Sequence, residues 1–363
     1  MSNTNLIHAK RQKNDEFYTQ LDDIEREMNA YPEYDPDVFR DKTVLLPCDD
    51  PDWSSFTKYF ALNFESLGLK KLISTSYSPS GGHGKVFVLD GENKLQWEYL
   101  TGDGDFRSAE VTALRDEADI VVTNPPFSSF REFMAWLVEG KVEFAVIGSN
   151  NAITYKEVFP LIGDNKVWLG ATGNNNDMVF RVPETVEVKD ADRKKAARMG
   201  YPSTDTEFFT RMGNSCWFTN IQHGRRHEPL KLKTQAENEK YNKRIINNPN
   251  SYKKYDNYDA IEVPVTAGIP GDYAGVMGVP ISFLDKYCPE QFEIIGCSDN
   301  GAVDEIIKLS HFKRHNEPYV ESKKVYKRIF IRHINPEAQE AAVQLAQVHT
   351  LKTVTPEQQQ MAA

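Results

Sequence analysis

The sequence predicts an α/β protein with a doubly wound, mostly parallel sheet and a second lobe. Short apolar runs alternate with helical segments as far as about residue 170, a pattern typical of parallel sheets covered by helices. Beyond that point the alternation stops, and the chain becomes polar and basic. With 363 residues, 40% of them hydrophobic, the chain is long enough for one large core and a modest second one.

The first part of the chain predicts strands and helices in a regular order. Residues 15–28 have apolar side chains at helical spacing, with acidic residues early, which predicts an amphipathic helix. The later predicted elements are a strand at 43–46, a helix at 56–64, a strand at 69–77, a hairpin at 85–100, a helix at 109–116, a strand at 119–123, a helix at 130–137 and a strand at 143–148. In such folds the functional side chains lie at the carboxyl ends of the strands.

The rest of the chain predicts less regular structure. A basic helix is expected at 189–199, and residues 201–257 are polar and irregular. Strand fragments broken by Gly and Pro over 263–283 are expected to return to the main sheet. We therefore divide the chain into a first domain at 1–170, a second lobe at 171–257, a returning segment at 258–335 and a tail at 336–363 to which no function is assigned.

Charge is distributed unevenly along the chain. The net charge is −10, yet residues 189–254 hold 15 Lys and Arg against 7 Asp and Glu, whereas residues 1–125 hold 13 against 23. A polyanion therefore fits the basic segment, although an ordinary solvated surface would have the same composition.

Several classes of protein are disfavoured by composition. No run of 18 apolar residues occurs, and the N-terminus lacks an apolar signal stretch, so we expect a cytoplasmic protein with no membrane partner. The four cysteines are widely spaced, which is typical of reduced thiols. The pairs His223/His227 and His311/His315 have metal-site spacing but no completing carboxylate or cysteine, so we expect no metal.

One motif carries the chemistry, and it follows a predicted buried strand. Asn124-Pro125-Pro126-Phe127 has the pattern Asp/Asn/Ser-Pro-Pro-aromatic. An exocyclic amine is a poor nucleophile because its lone pair is delocalised into the ring, and acceptors for its N–H groups favour a tetrahedral, more reactive nitrogen. The Asn124 side-chain oxygen and the Pro125 carbonyl oxygen can both accept hydrogen bonds from one NH2 group. The two prolines fix the backbone that carries these acceptors, and Phe127 can stack on a base extruded from a duplex. The alternative is a Pro-Pro turn with Phe127 in the core.

Longer stretches make a resemblance specific. The chain resembles the EcoRI-type family of adenine-specific DNA methyltransferases over most of residues 13–300, and less well at 78–98 and 172–250. The matching stretches include Asp15-Glu-Phe-Tyr-Thr-Gln, Cys48-Asp-Asp-Pro, Gly68-Leu-Lys-Lys-Leu-Ile, Gly102-Asp-Gly-Asp-Phe-Arg-Ser, Ile120-Val-Val-Thr-Asn-Pro-Pro-Phe, Ile153-Thr-Tyr-Lys-Glu-Val-Phe, Lys254-Tyr-Asp-Asn-Tyr-Asp-Ala-Ile-Glu-Val and Gly275-Val-Met-Gly-Val-Pro-Ile.

The resemblance implies an S-adenosylmethionine-dependent methyltransferase with a Rossmann-like fold. Its expected reaction is methylation of N6 of a flipped adenine in a specific duplex sequence. The enzyme would serve a restriction-modification system, or act as a solitary or phage methylase. A protein glutamine methyltransferase, which uses a similar motif on an amide nitrogen, and a catalytically inactive DNA-binding relative are the alternatives.

The resemblance also implies a set of cofactor-binding residues. Phe17, Tyr18 and Thr19 would contribute to the methionine side of the pocket, unless Phe17 and Tyr18 are one turn of a core-facing helix. Asp49 and Asp50 would meet the methionine ammonium, or be solvated, in a loop that lacks the usual glycine. Asp103 and Asp105 are candidates for the adenine amine of the cofactor, with Phe106 against its ring, unless their loop is only a turn. The full expected set is Phe17, Tyr18, Thr19, Cys48, Asp49, Asp50, Tyr77, Asp103, Asp105, Phe106 and Asn124.

Double-stranded DNA is the expected partner. Residues 171–257 are the expected target-recognition region, in which basic residues between 189 and 254, among them Arg225, Arg226 and Lys231, would contact phosphates and some would read bases. A monomer is expected, with a cognate restriction endonuclease as a further partner where the enzyme serves such a system.

Overall fold

The computed structural model describes residues 17–78, 81–92, 95–173, 177–184, 186–299 and 317–335. The chain divides into two compact units, residues 1–225 and 226–363, which are described separately. None of the helices in the described ranges is long and apolar enough to cross a membrane. His311, His315 and the predicted tail at 336–363 lie outside the described residues.

The first unit is built from alternating strands and helices. Its strands are β1 Tyr18–Thr19, β2 Thr43–Leu46, β3 Lys71–Thr75, β4 Lys85–Asp90, β5 Leu95–Tyr99, β6 Ile120–Thr123, β7 Glu143–Ser149, β8 Trp168–Leu169, β9 Met178–Val182, β10 Phe208–Met212 and β11 Ser215–Thr219. Its helices are α1 Leu21–Met28, α2 Ala30–Tyr34, α3 Ser55–Leu62, α4 Phe64–Leu67, α5 Ala109–Glu117, α6 Phe130–Gly140, α7 Phe159–Gly163 and α8 Asp190–Arg198.

An eight-stranded sheet forms the centre of this unit, in the order β5-β4-β3-β2-β6-β7-β11-β8. The four inner strands β3, β2, β6 and β7 are parallel. Antiparallel strands continue the sheet at both edges, so six of the eight strands point the same way. Strands β2 and β6 are buried throughout, as expected for near-continuous apolar runs inside a parallel sheet. The predicted mixed α/β fold with a large, mostly parallel sheet is confirmed.

The order of the strands places a crevice beside β2. Val44 of β2 lies opposite Leu72 of β3 on one side and opposite Ile120 of β6 on the other. From β2 the chain therefore passes to one side of the sheet, and later returns on the other side. Loops at the carboxyl ends of β2 and β6 diverge at such a switch point and leave room for a ligand.

A second, three-stranded sheet has the order β1-β9-β10. Tyr18 and Phe209 both lie opposite Arg181. This pairing explains why the helix predicted at 15–28 begins only at Leu21: the backbone before it is extended against β9. The region predicted to be irregular from residue 201 also contains β10 and β11, because both pair with strands far away in the sequence.

The second unit has its own sheets. Its elements are α9 Gln235–Tyr241, α10 Lys243–Ile246, β12 Ile261–Glu262, β13 Met277–Val279, β14 Phe292–Cys297, β15 Tyr319–Val320, β16 Lys323–Lys324 and β17 Ile329–His333. Four strands form a sheet in the order β12-β13-β17-β14, and β15 pairs with β16. In the described parts of 258–335, the strands pair with one another and not with the main sheet as expected, because β17 lies between β13 and β14 and bonds to both. The functional division at residues 171 and 257 stays a prediction.

Candidate active site

A cavity of about 600 Å³ opens at the carboxyl ends of the parallel strands in the first unit. Its volume is within the range of roughly 300–1,000 Å³ typical of small-molecule sites. Loops after β2, β3 and β6 contribute to its wall, together with β1, β9 and β10. The lining residues are Phe17, Tyr18, Thr19, Gln20, Pro47, Cys48, Asp49, Asp50, Trp53, Ser54, Ser55, Phe56, Lys58, Ser76, Tyr77, Gly104, Asp105, Phe106, Arg107, Asn124, Pro126, Ser129, Arg181, Glu207 and Phe209.

Asp49 joins the elements that meet at the floor of this cavity. Its buried carboxylate accepts hydrogen bonds from the hydroxyls of Ser54 (2.8 Å) and Thr123 (2.7 Å), which belong to the start of α3 and the end of β6. Its backbone N–H donates to the Thr75 carbonyl of β3. Burial raises the pKa of Asp49 to about 7. Both carboxylate oxygens are therefore used within the protein.

The neighbours of Asp49 in the same loop are more accessible. The Asp50 carboxylate accepts from the Lys85 ammonium at 3.1 Å and from the Asp52 backbone N–H at 2.9 Å. Cys48 is half-buried, and burial raises the pKa of its thiol, with a further contribution from the Asp49 charge. The Cys48 thiol is therefore protonated near neutral pH.

Two glycines bring the loop before α5 against the end of β3. A Cβ atom on Gly104 would collide with the Ser76 carbonyl oxygen, and one on Gly84 would lie 2.6 Å from the same atom. Gly104 also has a φ of 82°, which side chains disfavour. The Ser78 N–H donates to the Asp103 carbonyl at 2.7 Å. This close approach places the Gly102–Arg107 stretch in the wall of the cavity.

The carboxylates of this stretch have different surroundings. Arg107 binds both oxygens of Asp105, at 2.9 and 2.6 Å, and this hydrogen bonding lowers the pKa of Asp105. The Asp103 carboxylate accepts the Asp105 N–H at 3.0 Å and does not line the cavity. Phe106 is buried between the cavity and Phe133, whose ring centroid lies 4.9 Å away. Tyr77 lines the opening and is largely exposed.

Asn124 has one satisfied and one unsatisfied end. Its Nδ2 donates to the Phe17 carbonyl oxygen at 2.6 Å. Because a carbonyl can only accept, the nitrogen must face Phe17. The Oδ1 atom is buried and has no hydrogen-bond partner among the described residues. Since Asn124 lines the cavity, the site contains a buried acceptor awaiting a donor.

The rest of the motif supports this arrangement. The Phe127 ring is stacked on Phe17, with centroids 5.9 Å apart and an angle of 17° between the rings. Pro126 lines the cavity, whereas Pro125 and Phe127 do not. Thr19 provides a second buried oxygen without a partner in the described part of the chain, and it also lines the cavity.

The structure brings most of the predicted cofactor residues together. Of the eleven, ten line the cavity, and Asp103 is the exception. Sequence reasoning missed several charged and aromatic members, which are Trp53, Phe56, Lys58, Arg107, Arg181, Glu207 and Phe209. The last three come from β9 and near β10, within a segment that we assigned to DNA recognition. Their position depends on the pairing of β9 with β1 and with β10, which no local pattern reveals.

The predicted phosphate-contacting residues are in three different settings. Arg225, in the first unit, donates to the Ala171 carbonyl at 2.9 Å. Arg226, in the second, is only 6% exposed, with its guanidinium carbon 5.8 Å from the Tyr287 ring centroid, and burial lowers its pKa. Lys231 is exposed.

The His223/His227 pair has separate partners. The His223 Nε2 lies 3.0 Å from the Leu169 carbonyl oxygen, and the His227 Nδ1 lies 2.8 Å from the Glu290 carboxylate. Nowhere in the described ranges do three or more His, Cys, Asp or Glu residues form a group able to hold a metal ion.

Comparison with known proteins identifies the family. Residues 5–334 match the family described as adenine-specific methyltransferase EcoRI. The type II methyltransferase M.EcoRI of Escherichia coli is 44% identical over 80% of this chain and 88% of its own length. M.MpnI of Mycoplasma pneumoniae is 35% identical over 89% of this chain and 96% of its own length, and M.MgeORF184P of Mycoplasma genitalium is 36% identical over 89% and 97%.

No solved structure matches the chain significantly. Among the functions that the motif leaves open, the family supports a DNA methyltransferase over a protein glutamine methyltransferase. The chain belongs to the EcoRI family of adenine-specific methyltransferases.

Proposed function

We propose that this enzyme transfers the methyl group of S-adenosylmethionine to N6 of an adenine flipped out of a specific duplex sequence. Family membership implies a methyl donor and a DNA substrate. The named relatives are type II methyltransferases, so the role that we propose is the modification step of a restriction-modification system. The observation that carries the proposal is the buried, unpartnered Oδ1 of Asn124.

The chemistry follows from what this acceptor does to an amine. The lone pair of an exocyclic amine is delocalised into the ring, which makes the nitrogen a poor nucleophile. Asn124 Oδ1 and the Pro125 carbonyl oxygen would accept hydrogen bonds from the two N–H groups of the amine, which favours a tetrahedral nitrogen. Because the Phe17 carbonyl already holds the Asn124 amide in place, little reorganisation is needed when the base arrives.

Phe127 would then stack on the extruded base, as proposed from the motif. Its ring is braced by Phe17, so a base could be positioned against a fixed surface. Extrusion is required because the amine in a duplex cannot reach a cavity at the end of a sheet.

The cavity fits the proposed methyl donor. When bound, S-adenosylmethionine supplies a methyl group on a sulfonium. Phe106 offers a buried aromatic surface for the adenine ring, and Asp50, which also pairs with Lys85, offers a carboxylate for the ammonium. The Thr19 hydroxyl is a buried oxygen without a partner among the described residues. Among the lining cations, Arg107 and Arg181 pair with carboxylates, and Lys58 forms no ion pair with any described residue, so we assign the donor's carboxylate to Lys58.

Methyl transfer would be direct, without a covalent enzyme intermediate. Cys48 lines the cavity as a free cysteine. Its raised pKa keeps it protonated, and a thiol is less nucleophilic than a thiolate. Trapping a DNA–enzyme adduct at a cysteine would refute direct transfer.

A single chain is the proposed functional form, because residues of the first unit alone line the cavity. A cognate endonuclease remains the proposed further partner. For DNA, Lys231 is the exposed member of the three predicted contacts, and phosphate binding by Arg225 and Arg226 stays a prediction.

Nucleoside analysis tests the proposed function. Purified protein, S-adenosylmethionine and bacterial genomic DNA amplified in vitro from unmodified nucleotides should yield N6-methyladenine in the digested product, and reactions lacking either protein or donor should not. N4-methylcytosine without N6-methyladenine would overturn the base assignment. Methylation of glutamine in added protein, with none in DNA, would overturn the substrate class.

A further inference from the structure

Helix α8 presents positive charge on the surface of the catalytic unit. Arg193, Lys194, Lys195 and Arg198 are all exposed, and none of the four pairs with a carboxylate in the parts of the chain that the structure describes. The nearby Asp192 carboxylate is bound by Arg211 at 3.5 Å. The helix therefore presents four basic side chains without an ion pair in the described part of the chain, against Asp190 and Asp192 in its first turn.

These charges have a defined direction. At 100° per residue, Lys194 and Arg198 lie on one face of the helix, four residues apart, and Ala196 lies on the opposite face. Ala196 is fully buried in a cluster with Val179 and Phe209. Lys194 and Arg198 thus point away from the sheet.

The surface on which α8 packs also contributes to the wall of the cavity. Phe209 packs against Ala196 in that cluster and lines the cavity as well. The loop after α8 is held by Tyr201, whose hydroxyl donates to the Asp22 carboxylate at 2.8 Å. Because one side chain separates α8 from the proposed methyl-transfer site, the two surfaces keep a fixed spacing.

A local positive surface is needed in this unit. Residues 1–125, which supply most of the cavity, hold 23 acidic against 13 basic side chains. That excess repels a polyanion at the entrance of the very site that must receive a flipped base. Phosphate contacts position a protein on a duplex, so some must lie close to the cavity.

We propose that α8 is a phosphate-binding surface of the catalytic unit, in which Lys194 and Arg198, on the face turned away from the Phe209 wall of the cavity, bind phosphates of the duplex that carries the extruded adenine. The proposal rests on the proposed function and assigns part of DNA binding to the first unit. Within the basic segment 189–254 it selects α8 over Arg225 and Arg226, because the side chains of those two arginines are already engaged within the protein.

Salt-dependent DNA binding tests this surface. The variant Lys194→Gln/Arg198→Gln removes two charges while keeping polar side chains of similar helix propensity. The matched control is Lys70→Gln/Lys141→Gln, which removes two exposed charges just before β3 and β7, at the amino ends of the parallel strands. Fluorescence anisotropy with a labelled duplex is measured over a series of salt concentrations, and titration with S-adenosylmethionine checks that each variant is folded.

The expected result is a change in slope. For the α8 variant, the slope of log affinity against log salt should become shallower by about 1.8, that is about 0.9 for each lost contact. The control should keep the wild-type slope. Equal slopes in all three proteins, or equal changes in both variants, would overturn the proposal. Wild-type incorporation of labelled methyl groups into DNA is measured in parallel, so a failure of the proposed function is seen separately.

Discussion

Two loops at the carboxyl edge of the sheet look alike in sequence and differ in their hydrogen bonding. Each follows a buried strand and begins with polar residues and proline. In the loop after β2, the Asp49 carboxylate is fully engaged by Ser54 and Thr123. In the loop after β6, Asn124 has a protein partner for its nitrogen and none in the described residues for its buried oxygen. The first arrangement builds the shape of the site, and the second leaves an acceptor for a substrate.

This difference in hydrogen bonding separates residues that maintain the shape of the site, which we call framework residues, from residues that contact the substrate. A buried polar group without a partner costs about 1–3 kcal/mol, so its presence at a cavity indicates a ligand that supplies the missing hydrogen bond. A fully bonded group such as Asp49 affects chemistry only through the structure that it maintains. Substitutions in the two loops should therefore change different measured quantities.

The largest expected effect is on catalysis at Asn124. Asn124→Ala removes the acceptor for the target amine, and kcat should fall by at least about a hundredfold, as when one oxyanion-hole donor is removed. The dissociation constant for S-adenosylmethionine should change little. A loss of donor affinity as large as the loss of rate would show that Asn124 belongs to the framework.

A smaller effect is expected at Lys58, beyond the first loop. Lys58→Met keeps the aliphatic stem and removes the charge assigned to the donor's carboxylate. The dissociation constant for S-adenosylmethionine should rise about tenfold, the cost of one charge-assisted hydrogen bond. Calorimetric titration checks this, with Lys70→Met as a control outside the cavity. An unchanged dissociation constant would show that a cation other than Lys58 binds the donor's carboxylate.

At Asp49 the expected effect is on stability and depends on pH. Burial raises the pKa of this carboxyl from 3.8 to about 7 in the folded protein. Between about pH 4 and 7 the folded state therefore holds a proton that the unfolded chain releases. The Asp49 contribution to the free energy of unfolding must then fall as pH rises through this window.

Asp49→Asn removes this titration. The difference in unfolding free energy between wild type and variant should decrease by a few kcal/mol from pH 4 to pH 7 and level off above it. Urea unfolding at a series of pH values provides the measurement. A difference that stays constant, or that grows with pH, would contradict the structural role given to Asp49.

Much of the site could be predicted from the sequence because it lies in short segments around buried strands. Asn124 at the end of an apolar run, and Phe106 beside two glycines, are visible locally. The distinct roles of Asp49 and Asn124 are not, since they depend on Thr123 and Phe17, which approach only in the fold. Arg181 and Phe209 were missed for the same reason: they reach the cavity through β9, whose partner β1 lies more than 150 residues earlier, and through β10, which pairs with β9.

The pH profile of Asn124→Asp tests the central claim most directly. An ionised carboxyl has no hydrogen for the Phe17 carbonyl, whereas a protonated one can donate to it and still accept from the target amine. Methylation rates of variant and wild type are measured at saturating donor and DNA over the same buffers. The ratio of variant to wild-type rate should rise as pH falls. A ratio that is flat, or that rises with pH, would show that the Phe17 carbonyl does not hold the Asn124 side chain in its reacting position.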